Sequence, residues 1–311
     1  MSAASALEQL ISVDWGTSNL RASLVHPQGT IVDQIESDQG LLSKPTDFAA
    51  CLRSFIQPWL ERSPRTRTIL SGMVGSPGGW IEVPHIPCPA NPMALAAGAR
   101  AIDGFGYGGA WILPGVAGQG VAGLHDVMRG EEVQFFGAQQ LFAAQGRPLP
   151  QRWCFPGTHN KWIEAGPEIT HFSTSMVGEF FDLAQGHSLL AQSLTTRDSS
   201  ESSKNSEADF LRGVATSQKA GGLLHHVFSV RSLQLSGAHS KAQGAAYLSG
   251  IMIGHDICSQ VADRDTSIGI VASANLASRY QLALTKLGYD SATIDAQQAT
   301  VEGALLVAGH L

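Results

Sequence analysis

The apolar positions of this chain come in short runs cut by glycine, threonine and proline, and one arrangement of runs occurs twice. Leu10 to Trp15 is a largely apolar run that breaks at Gly16-Thr17-Ser18, resumes as Leu20 to Val25, and turns at Pro27-Gln28-Gly29 into Thr30-Ile31-Val32. Arg152 to Phe155 breaks at Pro156-Gly157-Thr158-His159, resumes as Lys161-Trp162-Ile163, and turns at Gly166-Pro167 into Glu168-Ile169-Thr170. Each predicts strand, tight Gly-Thr turn, strand, turn, strand. Glycine at such a turn lets the backbone approach a ligand, and the threonine hydroxyl adds a donor beside exposed N–H groups. Two such turns, one in each half of the chain, could grip a polyphosphate from both sides.

Elsewhere the period of the apolar positions alternates between helix and strand. Helical spacing predicts helices over 48–60, 92–102, from the Asp126 to Glu132 stretch through Phe142, and over 178–190, 210–218, 242–258, 276–287 and 296–308. Short apolar runs at 68–70, 110–115, 266–272 and 291–294 read as strands, while 81–89 holds too much proline for a helix. The polar, serine-rich stretch 196–209 predicts an exposed loop. Strands mixed with helices in both halves predict an α/β protein. A boundary at Gln145-Gly146-Arg147-Pro148 divides it into 1–147 and 148–311, with the last helix free to pack back on the first domain.

Composition narrows the classes. The 311 residues suffice for about two domains, and 43% hydrophobic with 15% charged residues describes an ordinary globular chain. A net charge of −6 without any long run of Lys or Arg argues against a nucleic-acid or anionic-membrane surface. Met1 to Ala6 lacks a basic start and an apolar core, so it does not read as a signal peptide, and no stretch approaches the ~18 apolar residues of a membrane span. Cys51, Cys88, Cys154 and Cys258 are far apart and form no C-x-x-C pair, which favours reduced thiols in the cytoplasm over a zinc site or disulfide framework. The histidines, His225-His226 included, lack ligand spacing with acidic partners, and Phe135-Phe136 reads as core.

The first turn has chemistry available. A carboxylate such as Asp14, at the end of a buried strand, can hold hydrated Mg²⁺ while Gly16, Thr17 and Ser18 donate to phosphate oxygens. A plain hairpin would need none of this, but the second copy, Gly157-Thr158 with its own cation Lys161, favours the functional reading. Neither a G-x-x-x-x-G-K-[ST] loop nor a G-x-G-x-x-G sequence opening a helix occurs, so the two commonest alternatives for nucleotide binding fall away.

Two phosphate hairpins in paired α/β domains resemble the superfamily of actin, heat-shock chaperones and sugar kinases. Within it the chain resembles, over nearly its whole length, the 2-oxo-3-deoxygalactonate kinases (2-dehydro-3-deoxygalactonokinases). The resemblance rests on Asp14 to Arg21, Gly72 to Ser76 with Gly79-Trp80, Pro114-Gly115, Val127 to Glu132, Pro156 to His159 with Lys161-Trp162, and Gly178-Glu179. It departs late, where Val271-Ala272-Ser273-Ala274-Asn275-Leu276 before Arg279-Tyr280 carries a serine in place of an adenosine-side glycine. The resemblance implies two actin-like (ribonuclease H-like) domains closing on a cleft, with ATP and Mg²⁺ used to phosphorylate 2-dehydro-3-deoxy-D-galactonate, most directly at its C6 hydroxyl. A kinase of the same fold acting on another sugar or sugar acid, and a nucleotide-switched binding protein, are the alternatives. A homodimer is compatible with all of them.

Site roles follow from that implication. Phosphorylating an alcohol calls for a carboxylate near the hydroxyl, and Asp126 suits this, although it suits a helix N-cap nearly as well. Asp14 is the rival base, but its strand-end position fits metal coordination better. Arg129 can take a sugar-acid carboxylate in a bidentate grip, or else form a surface pair with Glu132. Arg21 is a weaker candidate, equally at home as a cross-strand partner. Gly72, Val74, Gly75 and Ser76 read as a substrate loop at a strand end or as a structural turn. Glu179 suits capping or a polar network more than contact with substrate or metal.

Overall fold

The computed structural model describes residues 9–43, 45–194 and 203–311. The expectations for Met1 to Ala6 and for 196–202 lie outside them. In chain order the strands are β1 (Leu10–Trp15), β2 (Leu20–Val25), β3 (Ile31–Ser37), β4 (Arg67–Ser71), β5 (Ile86–Pro87), β6 (Arg100–Ala101) and β7 (Ala110–Ile112), then β8 (Val116–Gln119), β9 (His125–Met128), β10 (Arg152–Phe155), β11 (Asn160–Glu164), β12 (Phe172–Ser175), β13 (Ile268–Ala272) and β14 (Ser291–Asp295). The α-helices are α1 (Phe48–Arg62), α2 (Pro92–Gly98), α3 (Glu131–Ala144), α4 (Val177–His187), α5 (Ser203–Ser217), α6 (Gly222–Leu235), α7 (Lys241–Gln260), α8 (Ala274–Leu287) and α9 (Ala296–Ala308).

The chain forms two compact units. The first takes Met1–Leu149, Glu164–Phe172 and Ile294–Leu311, and the second takes Pro150–Ile163 and Ser173–Thr293. In the first unit a six-stranded sheet runs in the order β3-β2-β1-β4-β7-β6, with β1 antiparallel to β2 and parallel to β4. A three-stranded sheet, β5-β8-β9, accompanies it. Trp15, Leu20, Leu52, Ile56, Leu70 and Ile112 are buried together in its core. Helix α1 starts where Asp47 accepts the Ala50 N–H at 2.9 Å, an N-cap that fixes its first turn. Helix α9 lies against α3 so closely that a Cβ on Gly303 would sit 2.0 Å from the Val133 carbonyl oxygen.

In the second unit a sheet in the order β12-β11-β10-β13-β14 has β10 parallel to β13. Cys154, Trp162, Phe210, Val214, Ile270 and Tyr280 form its core, and a second cluster gathers Leu190, Val230, Leu248 and Ile251. Among the described residues no helix is long and apolar enough to cross a membrane. All four cysteines are free thiols.

The structure revises several expected elements. Helix α2 ends at Gly98, because Ala99 is extended and Arg100–Ala101 pairs with β7 instead. The strand expected at Glu168-Ile169-Thr170 is reduced to a bridge between Ile169 and Ala90, and the third strand of the second hairpin is Phe172–Ser175. Residues 203–209, expected in a loop, belong to α5. Helix α6 was not expected at all. Its apolar residues lie on exposed as well as buried faces, with Leu224 86% exposed and Val230 1% exposed, so no stripe marks it.

Candidate active site

In the first unit the parallel pairing of β1 and β4 sets Asp14 opposite Ser71, which brings Asp14 and Gly72 together at the strand ends. Gly72 has φ 89, and a Cβ there would lie 3.0 Å from Asp14 Oδ1 and 2.9 Å from the Trp15 carbonyl oxygen. Glycine is therefore required on both conformational and steric grounds. Gly130, with φ 112, faces the same spot: a Cβ on it would lie 3.6 Å from Gly72 Cα. It caps α3, whose first two residues are Glu131 and Glu132.

These carboxyls feel one another. Burial raises the Asp14 carboxyl to about 6, Arg21 pulls it down, and the charge of Glu131 raises it further. Glu132 is only 1% exposed, and both its oxygens accept the Gly130 N–H, at 2.9 and 2.7 Å. Burial, then Glu131, pushes it to about 8 in spite of those bonds and of Arg129. Glu131 thus lies within electrostatic reach of both Asp14 and Glu132.

The first turn projects from its unit with one side already occupied. Gly16 N–H donates to the Asn19 carbonyl at 2.9 Å, and the carbonyls of Gly16, Thr17 and Ser18 accept from Leu41, Leu42 and Gly40 at 3.1, 3.0 and 3.3 Å. Gly40 lies so close that a Cβ on it would meet the Thr17 oxygen at 2.4 Å. Thr17 and Ser18 themselves are exposed. Arg21 takes the plain role: its register partner is Glu36, and its Nε donates to Glu36 Oε1 at 2.9 Å.

The Gly72 loop is a 3-10 turn, Met73–Gly75, in which the Val74 side chain is core and Ser76 is nearly buried. The Val74 and Gly75 carbonyls accept from Trp80 and Val83 at 2.8 and 3.0 Å. Arg129 lies against this loop. Its Nη2 donates to the Val83 carbonyl at 2.7 Å and stands 3.5 Å from His85 Nε2, while its buried Nη1 has no hydrogen-bond partner. Burial lowers the Arg129 pKa, with Glu132 and Glu82 opposing, and His85 is lowered by burial, then by Arg129 and His125.

Asp126 is not at a helix start. It lies in β9 opposite Gly118, and its Oδ1 accepts the Val127 N–H at 2.8 Å. The antiparallel partner β8 makes this stretch a strand, and α3 begins only at Glu131. The N-cap expected of Asp126 is corrected accordingly: Gly130 holds that position.

In the second unit the turn between β10 and β11 repeats the device. Gly157, Thr158 and His159 are exposed. The Thr158 carbonyl accepts the Glu179 N–H at 3.0 Å, and a Cβ on Gly178 would meet the Gly157 oxygen at 2.5 Å. Gly178 thus does for this turn what Gly40 does for the first. Glu179 also reaches His159, Oε2 to Nε2 at 2.5 Å, as a network residue. Lys161 is 6% exposed, on the opposite sheet face from Asn160 by strand alternation.

Asn160 was missed at the level of sequence. Its Oδ1 accepts the Gly157 N–H at 2.9 Å, and its Nδ2 donates to Asp256 Oδ2 at 3.0 Å and to the Tyr280 hydroxyl. A signal existed, since Asn19 and Asn160 both stand three residues after the turn glycine. Beside the turn is a cavity of about 200 Å³, lined among others by Gly157, Asn160, Val177, Ser249, Arg279 and Tyr280. Ser273, the serine of the late departure, is the N-cap residue of α8, which carries the last two of these.

Among the described residues no group of three or more His, Cys, Asp or Glu is placed to hold a metal ion. A lone carboxylate fits a hydrated Mg²⁺ shared with phosphate oxygens, not a closed protein cage.

Residues 14–307 match the family model for 2-keto-3-deoxy-galactonokinase. The chain is 30% identical over 302 residues to the 2-dehydro-3-deoxygalactonokinase of Escherichia coli K12, covering 96% of this chain and 97% of that one. A crystal structure from Sinorhizobium meliloti assigned to the same enzyme superposes with a TM-score of 0.83 at 30% identity, covering 96% of this chain and 98% of the other. With its strand-end carboxylate, its paired Gly-Thr turns and this match along its length, the chain belongs to the 2-keto-3-deoxy-galactonokinase family.

Proposed function

We propose that this protein transfers the γ-phosphoryl group of ATP to the C6 hydroxyl of 2-dehydro-3-deoxy-D-galactonate, in the cytoplasm, as a step of galactonate breakdown. The observation that carries the reading is the convergence of Asp14, Gly72 and the Gly130 end of α3, with Arg129 beside the Gly72 loop. Family membership adds the substrate class.

Each part has a task. The two turns offer exposed donors to phosphate oxygens at Thr17-Ser18 and from Thr158 onward, the N–H groups of Gly16 and Gly157 being used within the turns themselves. Asp14 is the carboxylate suited to Mg²⁺, because the charge of Glu131 beside it makes a cation welcome there. When bound, Mg²⁺ neutralises charge on the phosphates. The cavity beside the second turn suits the nucleoside of ATP, with Arg279 and Tyr280 in its wall. The unpartnered Nη1 of Arg129 is a donor for the sugar-acid carboxylate, and Gly75 leaves room for it.

Two carboxylates compete to accept the hydroxyl proton. Asp126 stands in β9 three residues before Arg129, and Glu131 opens α3, where its charge is felt by Asp14. That coupling favours Glu131, since a base for phosphoryl transfer belongs near the metal carboxylate.

ATP consumption coupled to a panel of 2-keto-3-deoxy acids, with the gluconate epimer and neutral sugars included, tests the assignment. Turnover on the galactonate compound, with the phosphate located on C6 by phosphorus NMR, is the expected result. A preference for a neutral sugar would overturn it.

A further inference from the structure

The two Gly-Thr turns are closed differently. In the first, the Gly16 N–H is held by the Asn19 backbone carbonyl at 2.9 Å, a bond that does not depend on the side chain at position 19. In the second, the Gly157 N–H is held by the side chain of Asn160, Oδ1 at 2.9 Å. We propose that Asn160 is the positioning residue of the second turn and that Asp256 fixes its orientation, so that nucleotide affinity depends on a buried relay from α7 through Asn160 to Gly157. The proposal rests on reading this turn as a phosphate-binding element.

Every polar atom of the Asn160 side chain is engaged. Its two amide hydrogens go to Asp256 Oδ2 at 3.0 Å and to the Tyr280 hydroxyl, which leaves Oδ1 for Gly157. Asp256 Oδ2 in turn accepts from Trp162 Nε1 at 3.0 Å. Asn160, Trp162, Asp256 and Tyr280 are 1%, 0%, 5% and 1% exposed, so water cannot replace a lost partner cheaply. Asp256 Oδ2 acts as an acceptor toward Trp162 Nε1, so the donor end of the Asn160 amide points at it and the oxygen end meets Gly157. Were the amide reversed, two N–H groups would face each other at the turn. The relay also explains why the Gly157 N–H is unavailable to a phosphate: donors for the ligand begin at Thr158.

Three variants test the relay. Asn160→Asp keeps an acceptor for Gly157 but sets two carboxylates against each other. Asp256→Leu removes the acceptor that orients Asn160. Asp256→Asn is the conservative control, because its amide oxygen can take the place of Oδ2 and accept from both Trp162 Nε1 and the Asn160 amide. Asn160→Asp and Asp256→Leu should each weaken ADP binding, measured by calorimetry, and raise KM for ATP by about tenfold, as expected for one buried hydrogen bond. KM for the sugar acid should barely move, and Asp256→Asn should leave both nucleotide values near wild type. A purely structural role would lower Tm without this selective effect. Thr158→Val separates the underlying reading: if it weakens ADP binding while Asn160→Asp and Asp256→Leu do not, the relay is wrong. If none of these three weakens ADP binding, the turn does not bind phosphate. Should Asp256→Leu fail to fold, Asn160→Asp decides, with weakened ADP affinity supporting the relay and wild-type affinity overturning it.

Discussion

A Cβ built on Gly75 would lie 2.8 Å from Nη1 of Arg129, the buried guanidinium nitrogen without a hydrogen-bond partner. The space a side chain would take at position 75 is the space into which Arg129 presents its open donor. Gly75→Ala should therefore fold, since the closest clash is with the end of a long side chain and Ile112 Cγ2, at 3.0 Å, needs to give only a few tenths of an ångström, yet it should move the guanidinium. KM for the sugar acid should rise several-fold with KM for ATP unchanged. Equal KM values for wild type and variant would show that Arg129 does not meet the substrate.

Arg129→Lys keeps the charge and loses the planar fork. The Val83 carbonyl can still be reached by an ammonium, but a two-oxygen grip on a carboxylate cannot be reproduced. KM for the sugar acid should rise roughly tenfold, the size of one charge-assisted hydrogen bond, while KM for ATP stays put. A fall in ATP affinity instead would move Arg129 to the nucleotide side.

Asp14→Asn should fold, because the uncharged amide is easier to bury than a carboxylate already raised to about 6. Turnover at saturating Mg²⁺ and ATP should fall by orders of magnitude, since the anionic metal ligand is lost. A near-normal rate would remove Asp14 from the metal.

Glu131→Gln and Asp126→Asn, assayed side by side, separate the two candidate bases. The base should lose roughly 10²–10⁴ in kcat with substrate binding mostly intact. The prediction is that Glu131 shows this loss and Asp126 does not. The reverse pattern would return the role to β9.

Glu132 provides a readout independent of activity. Its carboxyl, at about 8 in the folded chain against 4.5 for an ordinary glutamate, binds its proton more tightly when folded. Between those values the unfolded chain holds fewer protons, so this group's contribution to stability is complete below about pH 4.5 and is lost as pH rises through about 8. Glu132→Gln keeps an acceptor for the Gly130 N–H and cannot ionise. Melting temperature should fall less for the variant than for wild type between pH 5 and pH 8.5, which thermal melts across that range would measure. Parallel curves would mean that Glu132 is already ionised at neutral pH.

Local pattern carried most of the elements. The period of the apolar residues marked α1, α7, α8 and α9, and the Gly-Thr breaks marked both hairpins, because each signal lies within one stretch of chain. Asp14, Gly72 and Gly75 were legible as candidate site residues for the same reason: a carboxylate or a glycine at a strand end is visible without its neighbours. Helix α6 was not, because its apolar residues do not form one stripe.

What tertiary structure alone decided was pairing. Residues 125–128 read as the approach to a helix until β8 supplied an antiparallel partner, and with that partner Asp126 became a strand residue and Gly130 the cap of α3. The parallel register of β1 with β4 placed Gly72 against Asp14, and the N-terminal end of α3 then brought Glu131 within electrostatic reach. Asn160 takes its hydrogen-bonded position from Asp256 and Tyr280, which lie 96 and 120 residues further along the chain. A hydrogen bond or a carboxylate contact over such separations leaves no trace in local periodicity, since it depends on which strands and helices the hydrophobic core draws together.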